Sequence, residues 1–432
     1  MSSIAAPNRT DRSAERRTVD AVRTALAATI LTALLVSFTP FVAVSEASGA
    51  SGNIVNQLGY SALGIAALAS HFLFTDRRVA LALLRPTWLV MLGFLILSVA
   101  QSNWPDLALR AVLFSLFAMI AATGVVSLPP DARTFRKVLA VAALAVLGLS
   151  YFGIVAMPAA AIHDASGAES QHSGLWRGIY SHKNVAAPVM AALFFAGLYL
   201  VRSGERGIGW LITVLAGLFV YMTGSKTTAG LVPFVAFLII AARVFGGRVL
   251  PVLILGVALV AMALLTVGAA LSPTLDGVLQ QVLPGTTFTG RMDLWRFALD
   301  TMAPRQWSGF GFESFWLTDN VFRAEMPFEL SWDPRGIVNA HSGYLDIAIS
   351  MGWPALFVAS LVLVVLPFKD YVACRPSQEN ERLADFFLMV LAFALMSSFL
   401  ESYFFKRADP VWMLTWIAVV GLRLVSKFRM TA

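Results

Sequence analysis

The fold class follows from an uncharged stretch near the middle of the chain, VLPVLILGVALVAMALLTVGAA at residues 249–270. An α-helix rises about 1.5 Å per residue, so a run of this length crosses the hydrocarbon core of a bilayer, which is about 30 Å thick. Similar runs recur along the 432 residues, of which 58% are hydrophobic and 13% are charged. Soluble proteins carry about 25% charged residues. The composition therefore excludes a water-soluble globule and predicts an all-α polytopic membrane protein.

Twelve apolar runs predict the membrane spans and divide the chain. The runs lie at residues 22–44, 54–74, 87–101, 107–127, 136–157, 184–202, 207–223, 228–243, 249–270, 343–367, 383–401 and 411–425. From them we expect a disordered cytoplasmic N-terminus over 1–21, spans one to nine over 22–270, a large periplasmic loop with amphipathic helices over 271–342, spans ten to twelve over 343–425 and a cytoplasmic tail over 426–432. No internal repeat is evident, and the single cysteine, Cys374, excludes an internal disulfide.

The basic residues predict the orientation. Of the 32 Lys and Arg residues, 21 fall on one set of alternate connections, which the positive-inside rule assigns to the cytoplasm. Both termini are then expected in the cytoplasm, and the expected location is a bacterial inner membrane. The large loop and four of the five histidines fall on the outer face.

An amphipathic helix is predicted inside the large loop, over Thr289–Met302. Its apolar residues at 292, 295, 298, 299 and 302 have the spacing of one helical face, Thr289 can cap its start and Pro304 stops it. We expect this helix on or near the membrane surface. Arg291 in its first turn is either a surface arginine that contacts lipid headgroups or an arginine directed at a bound anion.

Aromatic residues and a histidine follow in the same loop. In Trp307-Ser-Gly-Phe-Gly-Phe-Glu-Ser-Phe-Trp316 the glycines permit tight turns, and the aromatic rings are either sugar-stacking surfaces or interfacial anchors. The loop ends at Asn339-Ala-His-Ser-Gly-Tyr-Leu-Asp346, where His341 and Tyr344 would share a helical face. A histidine at a membrane mouth is a candidate general base, although a histidine hydrogen-bonded at a helix end is the alternative.

Several basic residues lie on the outer side against the positive-inside bias. They are Arg110, Arg177, Lys183, Lys226 and Arg291. Single lysines or arginines near a membrane can simply reach water, but this group is typical of a site for an anion such as a diphosphate. The chain has no GxxxxGK[ST] phosphate-binding loop, no HExxH and no evident acidic pair for Mg²⁺. Because the outer face of a membrane has no ATP, a substrate there must carry its own leaving group, and a lipid diphosphate does.

Four motifs resemble the O-antigen ligase and polymerase superfamily, and within it the exopolysaccharide polymerases of the ExoQ type. They are Ser181-His-Lys-Asn184, Ser225-Lys-Thr227, Thr289–Phe297 running on to Gly309–Trp316, and Ala340–Asp346. The resemblance implies a GT-C-type glycosyltransferase without metal or cofactor, which transfers a glycan from undecaprenyl diphosphate to an acceptor hydroxyl. It also implies that His341 is the catalytic base and that Arg291 holds the diphosphate.

Further site residues follow from the resemblance together with the residue chemistry. The remaining diphosphate ligands would be Lys226, Arg110, Arg177 and Lys183, and the glycan-binding candidates are Trp295, Trp307, Trp316, Tyr344, His182 and Glu313. Lys226 stands where ligases usually have arginine, which favours the polymerase branch. Ser342 stands where the family usually has asparagine, so a side-chain amide contact beside the histidine is missing.

The expected partners are an undecaprenyl-diphosphate-linked glycan donor, a glycan or lipid acceptor, a chain-length regulator and the lipid bilayer, without nucleic acid. Two rival functions remain open from the sequence. One is a ligase that hands the glycan to lipid A core or another acceptor by the same chemistry. The other is a secondary transporter, although transporters of this size usually show two similar halves with polar groups at the bilayer midplane.

Overall fold

The computed structural model describes residues 9–42, 54–164, 170–324, 333–407 and 409–431. Within these ranges the chain forms α-helices, and its only extended pairing is an isolated antiparallel bridge between Ile162 and Trp176. The all-α prediction is confirmed. The principal helices are α1 (Arg9–Val36), α2 (Ile54–Phe74), α3 (Arg77–Leu83), α4 (Pro86–Gln101), α5 (Pro105–Ser127), α6 (Ala132–Ala156), α7 (Lys183–Arg202), α8 (Arg206–Met222), α9 (Lys226–Gly246), α10 (Val249–Leu271), α11 (Pro273–Val282), α12 (Arg291–Met302), α13 (Gly343–Val372), α14 (Gln378–Ser397) and α15 (Pro410–Lys427).

The twelve predicted spans coincide with helices over most of their lengths. The helix of the first span ends at Val36, residues 43–44 of that span lie outside the described part of the chain, and residues 398–401 of the eleventh span follow the end of α14. Not all of these helices are long and apolar enough to cross a membrane. Nine in the described ranges meet that criterion, or ten when α3 and α4, which meet at a bend of 61°, count as one broken span. Helix α8 has only 17 residues, and α14 begins with a cluster of charged residues. The polytopic architecture is confirmed, and the number of twelve crossings stays a prediction.

The first helix begins earlier than predicted. It starts at Arg9, so residues 9–21 are helical where we expected disorder, while residues 1–8 lie outside the described part of the chain. Alanine, arginine and glutamate in this segment are good helix formers, so the helix can continue beyond its apolar stretch. Arg23, near its middle, donates from Nε to the carbonyl of Leu128 at 2.7 Å.

Buried ion pairs join the helices at the end opposite the large loop. Asp385 of α14 is fully buried and accepts hydrogen bonds from Arg202 at 2.8 Å, Arg243 at 3.0 Å and the Tyr371 hydroxyl at 2.9 Å. These partners come from α7, α9 and α13. Some of the basic residues that predict the cytoplasmic side therefore form internal pairs between helices.

Helix α12 packs its apolar face on protein. Its predicted apolar face is buried in a cluster that also includes Leu345, Ala348 and Ile349 of α13. The spacing is therefore confirmed, and residues of α13 cover that face, while the position on or near the membrane surface stays a prediction. The predicted cap is wrong. The N-cap residue is Gly290, whose φ of 81° is in the left-handed region, and Thr289 precedes it.

The glycines of the aromatic segment bring its backbone against α13. Gly309 and Gly311 have φ values of 77° and 92°, and a Cβ on Gly309 would lie 2.4 Å from the Ser350 carbonyl oxygen. The amides of Phe310 and Gly311 donate to carbonyls of α13 at 2.9 Å each. The predicted tight turns are confirmed, and their structural effect is to fix the loop to the helix that follows His341.

Candidate active site

The polar cluster at the large-loop end of the protein is centred on Glu401, in the link between α14 and α15. Its Oε1 accepts from Arg291 Nη2 at 2.9 Å and from Asn184 Nδ2 at 3.0 Å. Its Oε2 lies 3.5 Å from His341 Nδ1. The two predicted catalytic residues therefore converge on one carboxylate, although they come from different parts of the chain.

His341 lies outside the helix that follows it. Its φ is 48°, Ser342 is the N-cap residue and α13 begins at Gly343, so the prediction that His341 and Tyr344 share a helical face is wrong. The His341 amide donates to the Asn339 side-chain oxygen at 3.0 Å, which stabilises this left-handed turn. The imidazole is 30% exposed, and its Nδ1 is buried on the side of Glu401.

The peptide group before His341 is held from both sides. Trp295 Nε1 donates to the Ala340 carbonyl at 2.9 Å, and the Ala340 amide donates to Asp346 Oδ1 at 3.0 Å. Asp346 also accepts from the Trp316 indole at 3.0 Å and from the Ser402 hydroxyl. Because all of these groups are partly or fully buried, the loop that carries His341 has little freedom to move.

Several proposed glycan contacts have other partners in the structure. Trp295 is fully buried, so its ring is not available to stack on a sugar. Tyr344 stacks on Phe399 with ring centroids 4.4 Å apart and donates its hydroxyl to the Leu395 carbonyl at 3.1 Å. Trp316 is partly buried and holds Asp346. These three side chains hold other residues of the site in position. The sequence alone could not distinguish this positioning role from sugar binding.

The other glycan candidates lie at the surface or in the histidine cluster. Trp307 is 70% exposed, so its ring remains open to a ligand. Glu313 is exposed and pairs with Arg407, which lies in the same link as Glu401. His182 is the N-cap residue of α7, and its Nδ1 accepts from the Asn184 amide at 3.1 Å.

Three histidines pack beside the start of α7. The ring centroids of His163, His172 and His182 are 5.0 to 5.8 Å apart. Burial and the nearby His172 lower the pKa of His182 from 6.5 to about 4, and Glu401 offsets only part of this effect. His182 is therefore neutral near pH 7, as its role as a hydrogen-bond acceptor requires. No group of three His, Cys, Asp or Glu side chains among the described residues has an arrangement that could hold a metal ion.

The remaining predicted diphosphate ligands are spread over the same end of the protein. Lys183 and Lys226 are the first residues of α7 and α9, and Lys226 is exposed. Arg177 is buried in the turn before α7 and donates to the Ser181 carbonyl at 3.2 Å. Arg110 lines a separate cavity at the start of α5. In the described ranges, no hydrogen bond or ion pair joins Lys226 or Arg110 to Arg291, His341 or Glu401.

Residues 211–360 match a protein-family model described as O-antigen ligase. This segment is similar to the O-antigen ligase family. It contains Lys226, Arg291 and His341, so the superfamily resemblance is confirmed over the part of the chain that carries those residues. Together with the membrane helices, the match supports a glycosyl-transferring membrane enzyme of the ligase or polymerase type. No curated protein matches the chain.

Glu401 and Asn184 are the site residues to which sequence reasoning gave no role. Asn184 is part of the Ser181–Asn184 motif, and Glu401 is the last residue of the predicted span 383–401. A carboxylate at the outer end of a span is a signal that could have identified Glu401. Glu401 contacts Arg291 and His341, which precede it by 110 and 60 positions in the chain. Local sequence spacing could not predict these contacts.

Proposed function

We propose that this protein is a polymerase of the O-antigen ligase and polymerase superfamily. In this proposal it joins undecaprenyl-diphosphate-linked oligosaccharide repeat units into an exopolysaccharide or O-antigen-like polysaccharide, on the periplasmic face of the inner membrane, with both termini cytoplasmic. The observation that carries the proposal is the convergence of Arg291 and His341 on Glu401. A base can accept the proton of the attacking hydroxyl, and a cation can stabilise the departing diphosphate, so the cluster has groups that metal-independent glycosyl transfer can use.

His341 is the proposed base. Because Nδ1 is buried against Glu401, Nε2 is the nitrogen that can face an acceptor hydroxyl. The hydroxyl oxygen attacks the anomeric carbon of the donor glycan, the bond from that carbon to the diphosphate oxygen breaks with its electron pair, and the hydroxyl proton passes to Nε2. Glu401 then stabilises the imidazolium. The Nδ1 to Oε2 distance of 3.5 Å would shorten as that charge forms, since catalytic hydrogen bonds often tighten only in the substrate complex.

Arg291 is the proposed diphosphate ligand. A guanidinium has several N–H donors, so the bond from Nη2 to Glu401 leaves others for phosphate oxygens. Arg291 is the first residue of α12, where the positive end of the helix dipole also favours an anion. Lys226, Lys183 and Arg177 would add positive charge around the leaving group as it gains negative charge.

A polymerase and a ligase differ in the acceptor that receives the glycan. Lysine at position 226, where ligases usually have arginine, favours the polymerase of the ExoQ type with GT-C architecture. The description of the matching family favours the alternative, a ligase that transfers glycan to lipid A core or another acceptor. Both use the same donor, and only the polymerase would work with a chain-length regulator.

Purified protein in liposomes tests the choice directly. With an undecaprenyl-diphosphate-linked repeat unit as the sole substrate, a polymerase produces a size ladder and releases undecaprenyl diphosphate. A ligase produces transfer only when lipid A core is added. Absence of a ladder, together with transfer to lipid A core, would replace the polymerase with the ligase. Uptake of a solute driven by a proton gradient, without any glycan transfer, would indicate a transporter.

A further inference from the structure

A cavity of about 760 Å³ lies next to the proposed catalytic cluster without including its residues. It is bounded by the end of α1, the starts of α2, α5, α7 and α15 and the turn before α7. Arg291, His341 and Glu401 are not among its lining residues. The proposed transfer reaction therefore leaves this cavity without a role.

The walls of the cavity combine an apolar surface with cations. The apolar part includes Leu34, Leu35, Leu107, Leu113, Phe114 and Phe117. Arg110 and Lys406, both exposed, lie on the same lining, and Arg407 there pairs with Glu313. The lining carboxylate Asp409 is the N-cap of α15 and accepts from the amides of Val411 and Trp412. This combination suits an amphiphile with an anionic headgroup.

Tyr180 is an independent indication of a ligand. The side chain is only 6% exposed and lines the cavity, yet its hydroxyl has no hydrogen-bond partner among the described residues. A buried polar group without a partner costs about 1–3 kcal/mol. A ligand oxygen that accepts from Tyr180 would remove this cost, which an apolar lipid tail could not do.

Residues that line the cavity are neighbours in sequence of residues in the proposed active site. Ser181 and Val185 line it, while Asn184 between them donates to Glu401. On the other side, Lys406 follows Glu401 in the same link, and the hydroxyl of Tyr403 lies 3.5 Å from the Asn184 carbonyl. The cavity and the cluster around Glu401 therefore share the segment 181–185.

We propose that this cavity binds the phosphate or diphosphate headgroup of a second lipid-linked glycan, the acceptor, while the donor diphosphate binds at Arg291. The inference rests on the proposed polymerase function, in which both substrates carry such a headgroup. The reacting hydroxyl of an acceptor is on its glycan and not on its headgroup. A headgroup site beside His341, rather than at it, leaves room for sugars to reach the base. Arg110 then serves the acceptor and not the donor.

Counting bound lipids tests the proposal without any turnover. Purified full-length protein is titrated with undecaprenyl diphosphate and examined by native mass spectrometry. The wild type should bind two molecules. In the double variant Arg110→Gln/Lys406→Gln the Kd of the cavity site should rise by at least about tenfold. One molecule, at the Arg291 site, should then remain bound. In Arg291→Gln that molecule should be lost. Arg323→Gln, at an exposed arginine that pairs with Asp319, should keep both.

Tyr180→Phe separates binding from folding. Because the hydroxyl has no partner in the protein, its removal should leave the thermal midpoint unchanged or raised while it weakens the second site about five- to tenfold. A wild type that saturates at one lipid, or cavity variants that retain two, would overturn the proposal. Displacement of the second molecule by an equal concentration of phosphatidylglycerol would also overturn it, since the cavity would then be a general phospholipid site. Binding of two lipids without formation of a polymer ladder would support the lipid site in the cavity and refute the proposed polymerase function.

Discussion

Replacing Glu401 with glutamine tests the role of the residue on which the site converges. The substitution keeps the shape of the side chain and removes its charge. Two unit charges 3.5 Å apart interact by about 5 kcal/mol at an effective dielectric constant of about 20. His341 and Glu401 are 30% and 20% exposed, so solvent reduces the interaction to about 2–3 kcal/mol. If this energy stabilises the imidazolium only in the transition state, kcat falls about 30- to 160-fold.

The KM for the donor gives the second part of this prediction. Glu401 accepts from one donor of Arg291, and its negative charge repels a diphosphate bound to the other donors. Glu401→Gln removes that repulsion, so the donor KM should be unchanged or lower while kcat falls. Initial rates with a fluorescent lipid-linked repeat unit in liposomes would measure both constants. Asp276→Asn, which breaks the more exposed pair with Arg296, is the matched control and should change kcat by less than about threefold. A raised KM with an unchanged kcat in Glu401→Gln would refute the reasoning.

Three further predictions concern the groups that hold the site and the fold. Trp295→Phe leaves the buried Ala340 carbonyl without its partner, so the free energy of unfolding should fall by about 1–3 kcal/mol and kcat should fall with little change in KM, as chemical denaturation and initial rates would measure. Because His182 has a pKa of about 4 when folded and 6.5 ordinarily, the unfolded state binds more protons between these values. Stability should be complete above about pH 6.5 and fall as the pH drops towards 4, and His182→Asn should flatten this part of a plot of thermal midpoint against pH. Asp385→Asn removes the charge that pairs with Arg202 and Arg243, so the free energy of unfolding should fall by about 3–5 kcal/mol. A chemical denaturation curve of the variant that coincides with that of the wild type would contradict this prediction.

The helical framework could be predicted because membrane spans follow from length and hydropathy alone. The stretch at residues 249–270 coincides with α10, and the predicted aromatic-segment turns occur at Gly309 and Gly311. The extent of α1 could not be predicted, because composition alone does not show whether a charged segment continues a helix. Helix α12 was predicted with the correct face, but hydropathy does not distinguish a face that packs on protein from one that contacts lipid.

The sequence predicts some residues of the site and misses others. His341 and Arg291 were assigned from motifs, and both contact the same carboxylate. Glu401 was not assigned because its partners are distant in sequence. Trp295 was assigned to sugar binding although it also belongs to the apolar face of a helix, and burial decided between the two. Residue type alone cannot separate an aromatic side chain that positions a loop from one that contacts substrate.

The most direct test of the central claim is the initial rate of glycan transfer by His341→Ala protein in liposomes. A general base contributes about 10²- to 10⁴-fold, so the account predicts a rate at least about 100-fold below that of the wild type, with the lipid-linked repeat unit left unreacted. The Asp276→Asn control should transfer glycan at a rate within about threefold of the wild type in the same preparation. Polymer formation by His341→Ala at the wild-type rate would contradict the assignment of this histidine, and with it the proposed reaction at Glu401.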